Sequence, residues 1–142
     1  MRTLIIATDL GQTSTSAVSY GVQLARDLSA QVLLVHAWQP VQITVLDATI
    51  ILPADRQAER AQDLQAHLER IAEEHRATGV TISARLLDGD LADIIVALVA
   101  ETNAEMVVVG TSLPRLATRI LGSSAQAVIR AVRCPVLVVH SA

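Results

Sequence analysis

The sequence is poor in several residue types, and each scarcity excludes a class of function. All 11 of its cations are arginine, so a mechanism that needs a catalytic or phosphate-binding lysine is excluded. It has no phenylalanine and a single tryptophan and tyrosine, so aromatic platforms for stacking nucleic-acid bases are not available. The net charge of -3 lacks the basic surplus of nucleic-acid-binding proteins, and no nucleic-acid partner is predicted.

Long apolar runs and paired cysteines are lacking as well. No segment offers roughly 18 uninterrupted apolar residues, so no membrane span is predicted. The single cysteine, Cys134, cannot form an intrachain disulfide or a cysteine-rich metal site. Its position before Pro135 and an apolar strand favours a structural thiol over a nucleophile. The chain begins with a strand and without a signal peptide, and we therefore expect a cytoplasmic location.

Apolar residues make up 51% of the sequence and fall in short runs such as LIIA, VLLV, MVVV and VLVV. Strands that are covered by helices on both faces have this character. Five candidate strands occupy residues 3–8, 32–37, 80–87, 105–110 and 135–139, and helices are predicted from 13–16 to 29, over 54–78, after Asp90 and over 124–133. The alternation predicts one α/β domain over residues 1–142, a five-stranded parallel doubly wound sheet of order 3-2-1-4-5 with helices on both faces.

One connection does not fit this simple pattern. Residues 39–53, QPVQITVLDATIILP, are apolar and uncharged apart from Asp47. A connection of this length in a compact domain is usually functional or wrongly assigned. It is interpreted as a flap over the sheet edge or part of a subunit interface, or else as an extra turn or helix that completes the core.

A ligand of such a sheet is expected beyond the carboxyl ends of the strands, where the strand order reverses. Here that point lies between the first and fourth strands, flanked by the loops that begin at Thr8 and at Gly110. Asp9 ends the first strand, and its carboxylate is suited to ribose hydroxyls or an adenine amino group. Its alternative role is to cap the loop or the first helix. Gly110 allows a ligand or a backbone to approach closely, or simply forms a tight turn.

The last helix supplies the third feature of this site. Gly122, Ser123 and Ser124 open it, and a helix N-terminus is suited to an anion such as phosphate. The alternative is that the serines only cap the helix, since Ser123 with Gln126 fits the capping-box pattern. Three separate features thus converge on one predicted crevice.

The motifs of the chain resemble those of the universal stress protein family along essentially its whole length. They are IIATD ending at Asp9, SAVSYGVQLA, LLVHAW, the stretch that begins at Gly89, MVVVGT and the closing LGSSAQAVIRAVRCPVLVV. The closing segment, with Gly-Ser, an amphipathic helix and Cys-Pro-Val-Leu-Val-Val, is the most specific of these.

The resemblance implies an adenine-nucleotide site with an altered loop. Members that bind ATP have Gly-x-x-Gly, nine residues, and then Gly followed by Ser or Thr. Gly110 and Thr111 match the start of this pattern, and Gly122-Ser123, followed by Ser124, match its end. Ser112 or Leu113 replaces the second glycine, and Pro114 removes an amide donor. The resemblance also implies that Asp9 lies near the sugar and that the main chain near Ala37 contacts adenine. Arg115 and Arg119 are interpreted as phosphate donors or as solvated surface.

Two functions remain open from the sequence. The first is a stress-response protein that senses or regulates through bound ATP. The second does not bind ATP and acts through an unidentified regulatory protein partner. In either case the resemblance implies a homodimer formed through the apolar strand Val136–Val139, an edge able to pair with another chain. No catalytic triad, nucleophile elbow or metal site is recognised. Slow ATP hydrolysis would need carboxylates that hold a metal near the phosphates, and Asp9 is the one carboxylate expected there.

Overall fold

The computed structural model describes residues 1–40, 42–111 and 122–140. Its parallel strands are β1 (Thr3–Ala7), β2 (Gln31–Trp38), β5 (Ile82–Asp88), β6 (Met106–Gly110) and β7 (Val136–Val139). They form one sheet in the order β5-β2-β1-β6-β7, which confirms the predicted order 3-2-1-4-5. The numbering differs because β3 (Gln42–Val45) and β4 (Ala48–Ile51) form a separate hairpin between β2 and the following helix.

Within the residues that the structure describes, four α-helices cover the two faces of the sheet. They are α1 (Thr15–Asp27), α2 (Ala54–Arg76), α3 (Leu91–Thr102) and α4 (Ser123–Ala131). Alternate side chains of β1 enter different cores, because successive strand residues point to opposite faces. Leu4 and Ile6 pack with residues of α1 and α2, and Ile5 packs with residues of α3 and α4. Both faces are therefore apolar, which explains the continuous hydrophobic runs of the sequence.

Gly21 brings α1 close to the sheet. A Cβ atom at this position would lie 2.6 Å from Ile6 Cδ1 and 3.4 Å from Val108 Cγ1. The helix therefore packs against β1 and β6 at a distance that a side chain would increase. Since α1 follows directly from the loop after β1, this packing also fixes where that loop runs.

Local signals set some of the helix ends. The Asp90 carboxylate accepts a hydrogen bond from the Asp93 amide at 3.3 Å and caps α3, the helix predicted after Asp90. Gly79, with a φ of 89°, follows the end of α2, where a glycine accepts the left-handed conformation at no steric cost. The capping box at α4 is wrong: Gly122 is the N-cap residue and Ser123 is already helical. Glycine is itself an accepted N-cap residue, so the helix begins one position earlier than its serine-glutamine pattern indicates.

The hairpin occupies the unusual connection. Leu46 and Asp47 form its turn with φ values of 48° and 64°, as in the type I′ turns that join antiparallel strands. The side chains of Val45, Leu46 and Ile50 are 52%, 95% and 57% exposed. The interpretation of residues 39–53 as a turn or helix that completes the core is therefore wrong. The roles of flap and subunit interface stay predictions.

Among the residues that the structure describes, no helix combines the length and apolar character needed to cross a membrane.

Candidate functional site

A pocket opens where β1 and β6, neighbours in the sheet, send the chain in opposite directions. After β1 the chain continues to α1 on one face, and after β6 it leads to α4 on the other. This divergence creates the crevice expected at a topological switch point. The pocket encloses about 210 Å³, and its described walls consist of Ala7, Thr8, Asp9, Ser14, His36, Ala37, Leu91, Val109, Gly110, Thr111, Ser124 and Ala125.

Most of the residues predicted for the site meet in this pocket. Its walls include Asp9 from the end of β1, Ala37 from β2, Gly110 and Thr111 from the end of β6, and Ser124 from α4. Gly122 and Ser123 directly precede Ser124 at the start of α4 but are not among the described wall residues. The nucleotide-binding role of all seven stays a prediction. The loop positions Ser112, Leu113, Pro114, Arg115 and Arg119 lie outside the described residues.

A chain of hydrogen bonds shapes the β1 side of the pocket. The Leu10 amide donates to Thr8 Oγ1 at 3.1 Å, Thr8 Oγ1 lies 2.7 Å from Ser14 Oγ, and Ser14 Oγ donates to the Gly11 carbonyl at 2.9 Å. Because the Ser14 proton is directed to that carbonyl, Thr8 is the donor in the hydroxyl pair. Thr8 and Ser14 are each only 6% exposed, and unpaired hydroxyls would be costly there.

Asp9 lies within the loop that this network holds. Its Oδ1 atom accepts a hydrogen bond from the Gly11 amide at 2.8 Å, which is an Asx turn. The loop-capping role given above as an alternative is therefore present. A carboxylate can accept several hydrogen bonds at once, so this turn is compatible with a contact between Asp9 and a sugar hydroxyl.

His36 joins β2 to the same loop. Its Nδ1 atom lies 2.8 Å from the Thr8 carbonyl oxygen. A carbonyl can only accept, so Nδ1 carries the proton and donates. The ring is half-buried and forms part of the pocket wall.

The hydrogen-bond network of Thr8 and Ser14 was not predicted from the sequence. The available signal was the presence of hydroxyl residues at the end of a strand and in the Ser/Thr-rich turn that follows it.

The opposite side of the pocket is built from main chain. The Thr111 amide donates to the Val139 carbonyl at 3.1 Å, which keeps the end of β6 beside β7. The Gln126 amide donates to the Gly122 carbonyl at 3.0 Å, so the amides of residues 123–125 precede the first intrahelical hydrogen bond. Such amides and the helix dipole favour an anion. Ser124 and Ala125 belong to the pocket wall, which brings this positive end of α4 to the pocket.

Comparison with known proteins gives this geometry a family context. The model of the universal stress protein family matches residues 1–140. The chain belongs to the universal stress protein family. It is similar to Universal stress protein G of Escherichia coli O157:H7, at 31% identity over 98% of this chain and 99% of that protein. It is also similar to a universal stress protein of Methanocaldococcus jannaschii, at 29% identity over 96% of this chain and 80% of that protein.

The solved structures agree with the fold of this universal stress protein. One, a universal stress protein in complex with cAMP, is 28% identical and superposes with a TM-score of 0.75. The match covers 99% of this chain and 98% of the other. The resemblance seen in the sequence is thus confirmed at the level of the family and of the fold.

The other candidate chemistry in this universal stress protein is sparse. Within residues 1–40, 42–111 and 122–140, no group of three or more His, Cys, Asp or Glu residues could hold a metal ion. Cys134 is half-buried and packs against the core beneath α3 and α4. Burial raises the pKa of its thiol, which disfavours the thiolate that a nucleophile requires.

Proposed function

We propose that this chain is a cytoplasmic stress-response protein that binds an adenine nucleotide, ATP in particular, in the pocket between β1 and β6. The observation that carries the proposal is the meeting of Asp9, Ala37, Gly110, Thr111 and Ser124, from separate segments, in one pocket wall. A relative solved with cAMP, at 28% identity, supports an adenine nucleotide as the ligand class.

The nucleotide would lie across the pocket from β2 to α4. Its adenine would contact the main chain at Ala37, its ribose would approach Asp9, and its phosphates would reach the amides that follow Gly122. The described walls enclose about 210 Å³, below the roughly 300–1,000 Å³ of sites that hold drug-sized ligands. That volume suits the base and the sugar, so the phosphates would extend along the N-terminus of α4.

A regulatory role follows from the chemistry of the wall. Of the described residues that line the pocket, Asp9 carries the carboxylate, and an assisted hydrolysis would need further carboxylates to hold a metal beside the phosphates. We therefore propose that occupancy of the pocket is the signal, read by a protein partner, and that turnover is not the function.

Isothermal titration with ATP, AMP and cAMP tests the proposal, with Asp9→Asn as the site variant. The asparagine oxygen can still accept from the Gly11 amide and preserve the turn, while the charge is lost. We expect the Kd for ATP to rise about tenfold, about 1.4 kcal/mol of binding free energy. Asp63→Asn, an exposed position on α2, is the matched control and should bind as the unmodified protein does. Absence of heat and of a thermal shift with all three nucleotides at millimolar concentration would overturn the proposal.

A second proposal, homodimerisation through β7, is favoured by the edge of the sheet. In the described sheet β7 pairs with β6 on one side only. The carbonyls of Pro135 and Val139 accept from β6 and from Thr111. Because backbone groups alternate sides along a strand, the amides of Val136 and Val138 point away from β6. A second copy could pair with this row of groups, and such a dimer could act with or without a nucleotide.

Val138→Pro tests the dimer with little effect on the sheet. Proline removes an outward amide and is tolerated on edge strands, so we expect a monomer by light scattering at micromolar concentration with the pairing to β6 kept. Leu137→Pro is the contrasting variant, since it removes an amide that faces β6 and should lower the melting temperature. A monomer in the unmodified protein, or a dimer in Val138→Pro, contradicts pairing through this edge.

A further inference from the structure

We propose that His36 is a positioning residue of the nucleotide site. Its ring donates a hydrogen bond to the Thr8 carbonyl, which fixes the loop that carries Asp9 and leaves the Ala37 amide available to the ligand. The inference deepens the proposed function and rests on it. Three groups at the ends of β1 and β2 are involved: the His36 ring, the Thr8 carbonyl and the Ala37 amide.

The sheet ladder breaks at Thr8. The Thr8 amide still donates to the Val35 carbonyl at 2.9 Å, in the register that pairs Ala7 with Val35. In a continued parallel ladder, the Thr8 carbonyl would accept from the amide two residues further along β2, that of Ala37. Instead it accepts from the His36 side chain at 2.8 Å. The His36 side chain thus occupies the Thr8 carbonyl, to which the Ala37 amide would otherwise donate.

The consequence for Ala37 is geometric. The Trp38 carbonyl accepts from the Gly89 amide, so Trp38 faces β5. The Val35 carbonyl accepts from Thr8, so Val35 faces β1. By alternation the amide and carbonyl of Ala37 also point to the β1 side. There the loop has turned away, and Ala37 forms part of the pocket wall. An adjacent amide and carbonyl of this kind can pair with the edge of a base.

The same bond acts on the Asp9 loop. Leu10 has a φ of 67°, a left-handed conformation that non-glycine residues rarely adopt and that persists only where the surroundings hold it. The Leu10 amide is held by Thr8 Oγ1, and the Thr8 backbone is held at its amide by Val35 and at its carbonyl by His36. His36 therefore fixes the backbone of Thr8, the residue whose side chain holds the strained turn at Leu10.

A pair of amide substitutions separates this role from simple packing. Asparagine carries a donor at nearly the same reach from the backbone as Nδ1, whereas glutamine places its donor one carbon further out. In His36→Gln we expect the Kd for ATP to rise about tenfold, the effect of one lost hydrogen bond at a site. In His36→Asn we expect affinity close to that of the unmodified protein.

Amide hydrogen exchange in the ligand-free protein supplies a readout that needs no nucleotide. In His36→Gln the Ala37 amide should exchange more slowly, because it can now bond to the Thr8 carbonyl, and the Gly11 amide should exchange faster. His36→Asn should restore both rates. His36→Leu, which has no donor, should behave as His36→Gln does, and it keeps the test intact if either polar variant is too unstable to measure.

The outcomes are distinguishable. If the unmodified protein binds no nucleotide, the proposed function fails, and the exchange rates of Ala37 and Gly11 still decide whether His36 holds the loop. If nucleotide binds and His36→Gln matches the unmodified protein in affinity and in both exchange rates, His36 has no positioning role and the inference is overturned.

Discussion

The two sides of the pocket are built by different means. On the β1 side, side chains bond to one another and to the backbone: the buried Thr8 and Ser14 and the half-buried His36 hold a turn in which Leu10 takes a strained conformation. On the α4 side, a glycine caps the helix, and Ser124 and Ala125 of its first turn form part of the pocket wall. The first construction fixes a shape, and the second supplies positive partial charge.

This difference predicts two kinds of response to substitution. Changes on the β1 side should lower stability and ligand affinity together, because the same hydrogen bonds serve both. Changes on the α4 side should alter the affinity for anions with little effect on folding.

Thr8→Val should have the largest effect on stability. Valine matches threonine in shape, but it leaves the half-buried Leu10 amide without its acceptor and the Ser14 oxygen without its donor, which costs about 1–3 kcal/mol. Urea unfolding measures the loss. Thr44→Val, on the exposed hairpin, is the control and should change the free energy of unfolding by less than about 0.5 kcal/mol. Equal effects at the two positions would show that the network does not hold the β1 side.

Ser124→Asp should separate binding from folding on the α4 side. A carboxylate in the first turn interacts favourably with the helix dipole, by about 0.3–1 kcal/mol, but repels a phosphate. We expect the Kd for ATP to rise about tenfold, the melting temperature to stay the same or increase, and adenosine binding to be unchanged. Ser19→Asp, exposed on α1, controls for net charge. Equal loss of ATP and adenosine affinity would contradict a phosphate position at α4.

Thr8 and Ser14 should be coupled. Once Thr8→Val is present, Ser14→Ala should cost less than it does alone, because its partner is already missing. A double-mutant cycle on unfolding free energies should give a coupling of about 0.5–3 kcal/mol. Additive costs would mean that the 2.7 Å pair contributes nothing of its own.

Ser123→Ala should have the smallest effect. Because Gly122 is the N-cap residue, removal of the Ser123 hydroxyl should change the unfolding free energy by less than about 0.5 kcal/mol. Loss of a true serine cap costs about 1 kcal/mol, and a thermal melt distinguishes the two values. The larger loss would restore the capping box.

The sequence was informative where burial dictates residue type. Strand segments such as VLLV and MVVV are apolar at every position because helices cover both faces, and their alternation with helices sufficed for the strand order. The β3–β4 hairpin was not predicted from the sequence. Its turn places Leu46 and Asp47 at positive φ, but it lacks the Asn-Gly or Asp-Gly pair that is typical of such turns.

The site was predictable in position more than in construction. Asp9, Gly110 and Ser124 could be placed because strand ends and helix starts meet at a switch point. The bond from His36 to Thr8 could not, since it joins residues 28 apart through the register of two strands. Side-chain bonds of this kind depend on three-dimensional placement, which no local pattern encodes.

A crystal grown with ATP and Mg²⁺ tests the central claim most directly. We expect density for adenine beside Ala37, for ribose at Asp9 and for phosphates at Ser123 and Ser124. A crevice between Asp9 and Gly122 without nucleotide density, either empty or filled by Leu113 or Arg115, would contradict nucleotide binding at this site.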